Sequence, residues 1–97
     1  MNTIICDAIK NKKIIKFIYN DCPRVVEPYC YGESRTGKLV LRGFQLYGNS
    51  ESGVETGWKL FSLENINKLE LHGNNFVKIR LDYKPEDKGM RKIICHI

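Results

Sequence analysis

Lys38-Leu39-Val40-Leu41-Arg42-Gly43-Phe44-Gln45-Leu46-Tyr47 carries the clearest strand signal in the chain. Leu39 and Leu41 fall on one side of the pleat, and Val40, Phe44 and Leu46 on the other. Shorter runs of the same texture lie on either side of it. Ile14 to Tyr19 is rich in β-branched and aromatic residues, and Asn20-Asp21-Cys22-Pro23 breaks it with turn chemistry. Arg24-Val25-Val26-Glu27 resumes a strand that Pro28 should end or confine to a sheet edge. Gly32 to Gly37 reads as a polar turn, and Gly48-Asn49-Ser50-Glu51-Ser52-Gly53 as a flexible loop. Trp58 to Leu63, Ile66 to Leu71, Phe76 to Tyr83 and Met90 to Ile97 continue the strand pattern, with Pro85 to Gly89 as a turn. Only the start differs. Ile4, Ile5, Ala8 and Ile9 form an apolar stripe at helical spacing, which predicts a short helix over residues 3–12 capped by Asn2 or Thr3. Lys10, Lys12 and Lys13 fall near its C-terminal end, where the helix dipole favours cations. One helix followed by six or seven closely spaced strands implies a mainly β single domain over 1–97, a small barrel or sandwich. It excludes a doubly wound α/β fold.

The bulk properties fit such a domain. Of the 97 residues 42% are hydrophobic and 28% charged, enough to build a core without staples. Sixteen Lys and Arg against 11 Asp and Glu give a net charge of +5 and a pI near 9.1. A basic surface of that kind attracts phosphates and nucleic acid. No apolar run is long enough for a membrane helix, and the N-terminal lysines follow the apolar residues instead of preceding them, which is the wrong order for a secretion signal. The expected location is cytoplasmic. Cys6, Cys22, Cys30 and Cys95 lack the paired spacing of a zinc site, and reducing surroundings predict small buried thiols. No metal and no cofactor are expected.

Motifs for chemistry are sparse. Gly32-Glu33-Ser34-Arg35-Thr36-Gly37-Lys38 has the GxxxxGK spacing of a phosphate loop, but Leu39 stands where a magnesium-binding Ser or Thr is needed, and a strand follows instead of a helix. What remains is positive charge from Arg35 and Lys38 at a hairpin tip. His72 and His96 have no nucleophile beside them in a recognisable elbow, so no enzyme is expected. The more informative residues are polar ones inside apolar strands. Arg42 interrupts one strand, Lys59 sits between Trp58 and Leu60, Tyr29 follows Pro28, and Gln45 lies three residues after Arg42. A guanidinium fork suits phosphate or carboxylate, and an aromatic ring can stack on a base. In a strand without a bulge Arg42 and Gln45 face opposite ways, and Arg42 can equally pair with Glu27 or Glu33 on the exterior.

Tyr19, Arg24-Val25-Val26-Glu27-Pro28-Tyr29, Lys38-Leu39-Val40-Leu41 and Phe61-Ser62-Leu63-Glu64-Asn65-Ile66, in this order, resemble the landmarks of WYL domains. Ala8-Ile9 with Ile14, Lys16, Phe17 and Tyr19 is similar to the opening of that family. Arg42-Gly43-Phe44-Gln45, Gly57-Trp58-Lys59-Leu60-Phe61 and a tail with Tyr83, Pro85, Lys88 and Met90 resemble a short stand-alone branch of it. Leu39-Val40-Leu41 keeps only the leucine of the naming triplet, and Ser62 and Asn65 replace residues that are often basic. The resemblance implies an SH3-like (Sm-like) β-barrel behind one N-terminal helix, used as a ligand sensor. Such domains usually accompany a helix-turn-helix, for which this chain has no room, and are thought to sense nucleotides or nucleic-acid fragments. The expected function is therefore a regulatory module that binds a nucleotide or single-stranded nucleic acid. Its expected site residues are Tyr29, Arg42, Gln45, Trp58 and Lys59, with Arg35 and Lys38 as outer contacts. The alternative is an assembly module whose exposed strand edges, the Met90 to Ile97 tail included, form a homodimer or bind a protein partner.

Overall fold

The computed structural model describes residues 2–48 and 56–97; most of the loop expected at 48–53 lies outside the described residues. Helix α1 (Asn2–Lys10) leads into β1 (Lys13–Tyr19), β2 (Cys22–Ser34), β3 (Leu39–Gly48) and β4 (Gly57–Ser62). A single 3-10 turn (Leu63–Asn65) joins β4 to β5 (Ile66–Asn75), and β6 (Met90–His96) closes the chain. All six strands belong to one antiparallel sheet in the order β4-β3-β2-β1-β5, with β6 added against β2. The sheet stays open between β4 and β5.

Local chemistry explains most of these boundaries. Asn20 and Asp21 both adopt positive φ (50° and 63°), so the β1–β2 hairpin turns on two residues that tolerate the left-handed region. Gly37 (φ 86°) serves the β2–β3 turn, where Ser34 N–H donates to the Lys38 carbonyl at 2.7 Å. Strand β2 organises the sheet. It pairs with β3 along one edge, while its other edge takes β1 against residues 22–26 and β6 against residues 30–34. Residues 24–32 are buried without interruption, because both faces of the sheet are covered there.

Each face has its own apolar cluster. On one, Ile5, Ala8 and Ile9 of α1 pack on Ile15, Phe17, Val26, Tyr31, Leu41 and Phe61. On the other, Ile14, Val25, Tyr29 and Phe76 cluster with Phe44, Trp58 and Tyr83.

Four expectations need correction. Pro28 neither ends β2 nor lies on an edge. It is fully buried inside the strand, next to a bulge in which Pro28 faces Gly43 and Cys30 faces Arg42, leaving Tyr29 as the extra residue; a bulge is where a strand tolerates proline. Gly32 belongs to β2 and is not part of the turn; a Cβ there would meet the Lys92 carbonyl, so glycine lets β6 approach. Phe76 to Tyr83 is not a strand. It opens an irregular strap, residues 76–89, that crosses the Tyr29 face and leaves Val77 and Leu81 at 87% and 105% exposure. The alternating pattern that suggested a ladder points into solvent. Finally, Cys6 and Cys95 are not thiols but a disulfide, with Cα atoms 5.8 Å apart and a sequence separation of 89. No local spacing announces a pair so distant. Cys22 and Cys30 are free. No described helix is long and apolar enough to cross a membrane.

Candidate functional site

The bulge at Tyr29 turns Glu27, Tyr29 and Cys30 toward the face covered by the strap. Tyr29 is fully buried, with its ring centroid 4.8 Å from Trp58, 5.4 Å from Phe76 and 4.9 Å from Tyr83. Trp58 and Tyr83 lie near parallel, 26° apart with centroids at 6.0 Å, and Phe44 meets Trp58 edge-on. These spacings are those of favourable aromatic pairs.

Two arginines anchor the strap. Arg80 of the strap donates from Nε to Glu27 Oε1 at 2.9 Å, and its guanidinium carbon lies 3.5 Å from the Phe44 ring centroid. Its backbone N–H donates to Tyr29 Oη at 3.0 Å, and that hydroxyl in turn donates toward Glu27 at 3.4 Å. From the sheet, Arg42 Nε and Nη2 grip the two Asp87 oxygens at 2.7 and 3.1 Å. The Gly89 N–H also donates to Asp87 at 2.8 Å. The Arg42 guanidinium, with this amide, holds the Asp87 carboxyl below the usual aspartate range. Asp87's side chain is buried while Arg42's keeps 27% of its surface exposed, so one edge of a fixed guanidinium still faces outward.

That edge looks into a cleft of about 510 Å³ between Trp58 and the strap. Trp58 and Tyr83 supply the aromatic part of the lining, and the Trp58 indole N–H donates to Asp82 at 2.8 Å. Arg42, Lys84 and Lys88 line the cleft together with Asp82, Glu86 and Asp87, three formal positive charges against three negative. Beneath the wall, burial pushes the Tyr83 hydroxyl up to about 12 and the Cys30 thiol up to about 11. Both stay neutral at ordinary pH. The Tyr29 hydroxyl is likewise raised, chiefly by burial.

Of the residues expected at a site, the structure brings Trp58 and Arg42 to this cleft. Tyr29 lies behind the wall, supporting it without reaching the opening. Gln45 is fully buried and accepts a hydrogen bond from Arg24 Nη1 at 3.0 Å. Lys59 pairs across the sheet with Gly43, whereas Arg42 pairs with Leu60; alternation along β4 therefore puts Lys59 on the face opposite Arg42. A single patch built on Arg42 and Lys59 is excluded. Arg42 pairs with neither Glu27 nor Glu33, which take Arg80 and Arg91 instead. Arg35 donates from Nε to the Lys88 carbonyl at 3.0 Å, tying the hairpin tip to the strap, and Lys38 pairs with Glu64 at 3.0 Å.

Sequence reasoning missed Asp82, Tyr83, Lys84 and Asp87 as cleft residues. The one available signal was the dense mixture of charge, proline and glycine over residues 82–89, which has no core periodicity. Among the described residues no group of three or more His, Cys, Asp or Glu is placed to hold a metal ion. In comparisons with known proteins, the chain matches no family model, no curated protein and no solved structure.

Proposed function

We propose that this chain is a ligand-binding module that takes a nucleotide, free or as one residue of a single strand, in the cleft between Trp58 and the strap. The observation that carries the reading is the pairing of an aromatic wall with a pre-set guanidinium over one small opening. The cleft volume suits a ligand of that size. A base stacks on Trp58, its amino edge donates to Asp82 or Glu86, and its phosphate meets the free edge of Arg42 with Lys84 or Lys88 beside it. The balanced charge of the lining favours a ligand that offers both donors and an anion over a purely polyanionic one.

The chain's resemblance to WYL domains points the same way. In a small barrel the first strand pairs with both the second and the fifth, as β1 does here. Joining β4 to β5 by one 3-10 turn brings the two remaining edges toward each other. We read the fold as an SH3-like barrel with a gap at that seam, and the module as a regulator without catalytic activity, working in the cytoplasm. Assembly by strand pairing is less well supported. Lys68 in β5 has φ 55°, and two register shifts interrupt the pairing of β5 with β1. Bulges and lysines of this kind blunt a sheet edge.

Trp58 is the only tryptophan, so its emission reports on the cleft directly. Titration with nucleoside monophosphates and short oligothymidylates should quench it saturably, and Arg42→Ala should weaken the binding at least tenfold. Emission unmoved by millimolar concentrations of every one of these probes would end the reading.

A further inference from the structure

A second cleft, also of about 510 Å³, opens between α1 and β6, and the Cys6–Cys95 disulfide lies in its lining. Both cysteines are partly exposed. Lys10, Lys12 and His96 line the same cleft, with Asp7 as a carboxylate. Among the described residues no hydrogen bond or ion pair joins α1 to β6, so the two elements are held by this bond and by packing.

We propose that Cys6–Cys95 is a thiol–disulfide exchange site, reduced by a dithiol, whose state fastens or releases α1 and the end of β6. A thiolate of the dithiol attacks one Sγ through the cleft. The S–S bond breaks, and its electron pair leaves on the other Sγ as a thiolate, which takes a proton from solvent. The second thiol of the dithiol, deprotonated, then attacks the mixed disulfide and frees the remaining cysteine. The dithiol ends as a disulfide, having lost two electrons and two protons, and the protein gains both. Exposure gives the attacking sulfur its path. The positive charges of Lys10 and Lys12 favour both the arriving and the leaving thiolate.

Release is local. Ile5, Ala8 and Ile9 remain buried against the sheet, but a nine-residue helix has little stability of its own. At the other end, the Ile97 N–H donates to the Tyr29 carbonyl at 2.9 Å, and the Ile97 side chain packs against both main apolar clusters. The bridge thus sits two residues from a contact with the support of the Trp58 cleft. Any effect on that cleft rests on the ligand-binding reading; the exchange chemistry does not.

The test uses the full-length chain purified without reductant. Dithiothreitol at millimolar concentration and neutral pH, without denaturant, should make Cys6 and Cys95 alkylatable within minutes, as read by mass spectrometry. Amide hydrogen exchange should accelerate at least tenfold over residues 3–10 and 93–97, with β1 to β3 unchanged. The Cys6→Ser, Cys95→Ser double variant should exchange fast at the same residues whether or not dithiothreitol is present. Three results would overturn the proposal: cysteines that stay protected until denaturant is added, labelling without any change in exchange, or acceleration that extends to β1–β3. The wild-type arm decides the matter even if the double variant does not fold.

Discussion

Asp87 is the residue on which the cleft turns. Its buried carboxylate fixes the Arg42 guanidinium at two points and accepts the Gly89 amide, so replacing it frees both the arginine and the strap. Because the folded protein holds this carboxyl below its ordinary value, the ion pair's contribution is fully present above about pH 4, the range of an unfolded aspartate. It is lost as pH falls through the lower folded value. Asp87→Asn should therefore cost about 1–2 kcal/mol at pH 7, less than a fully buried pair because Arg42 remains partly solvated. The deficit relative to wild type should shrink as melts are repeated from pH 5 down to pH 2. A gap constant across that range would show that the carboxyl is not perturbed as described. Cys30 offers a second residue-scale check. Its thiol, raised to about 11 by burial, should resist iodoacetamide at pH 8 while the partly exposed Cys22 reacts. Equal labelling of the two would contradict the burial of Cys30.

Among the elements, the strap from 76 to 89 shows where sequence pattern stops being informative. The β1–β2 hairpin could be read directly, since Asn20-Asp21 between two β-rich runs specifies its own turn. So could α1, whose buried Ile5, Ala8 and Ile9 follow helical spacing, although Ile4 of the same stripe is 45% exposed. Arg42 could be picked out because it disturbs an apolar strand; Lys59 disturbs one in the same way, yet strand alternation puts it on the other face of the sheet. Val77, Ile79 and Leu81 alternate just as convincingly, yet no ladder forms, because the strap is held by Arg80 on Glu27 and Asp87 on Arg42. Those pairs span 53 and 45 residues, and ion pairs at such separation leave no local trace. Arg80→Met, which keeps an apolar stem over Phe44 but removes the donors, should leave the buried Glu27 carboxylate uncompensated. The expected loss is about 1–3 kcal/mol, with limited proteolysis appearing first between residues 77 and 84. Adding Glu27→Gln should recover part of that loss, since no buried charge would remain. A double variant less stable than the single one would mean that the strap is held by something other than this pair.

For the molecule as a whole, a net charge of +5 suggests nucleic acid more strongly than the arrangement of the charges does. Arg42, Arg80, Arg91, Lys16 and Lys38 are each spent on a carboxylate, and Lys59 is on the sheet face away from the Trp58 cleft. A protein that follows a nucleic-acid backbone needs a continuous row of unpaired cations, and its affinity then falls steeply with salt, by about 0.7 in log K per phosphate contacted on a single strand. The cleft offers Arg42, Lys84 and Lys88 beside one aromatic wall, room for one nucleotide and roughly one or two phosphates. The slope of log K against log salt should accordingly be about −1, and thymidylate oligomers of five and twenty residues should bind alike once the number of equivalent positions is allowed for. A slope several times steeper, with affinity growing along the oligomer, would place the binding surface outside the cleft and reassign the basic residues to a track. Shallow salt dependence together with an at least tenfold weaker binding in Arg42→Ala would instead identify a receptor for single nucleotides, in which the aromatic wall and the arginine both contribute to the affinity.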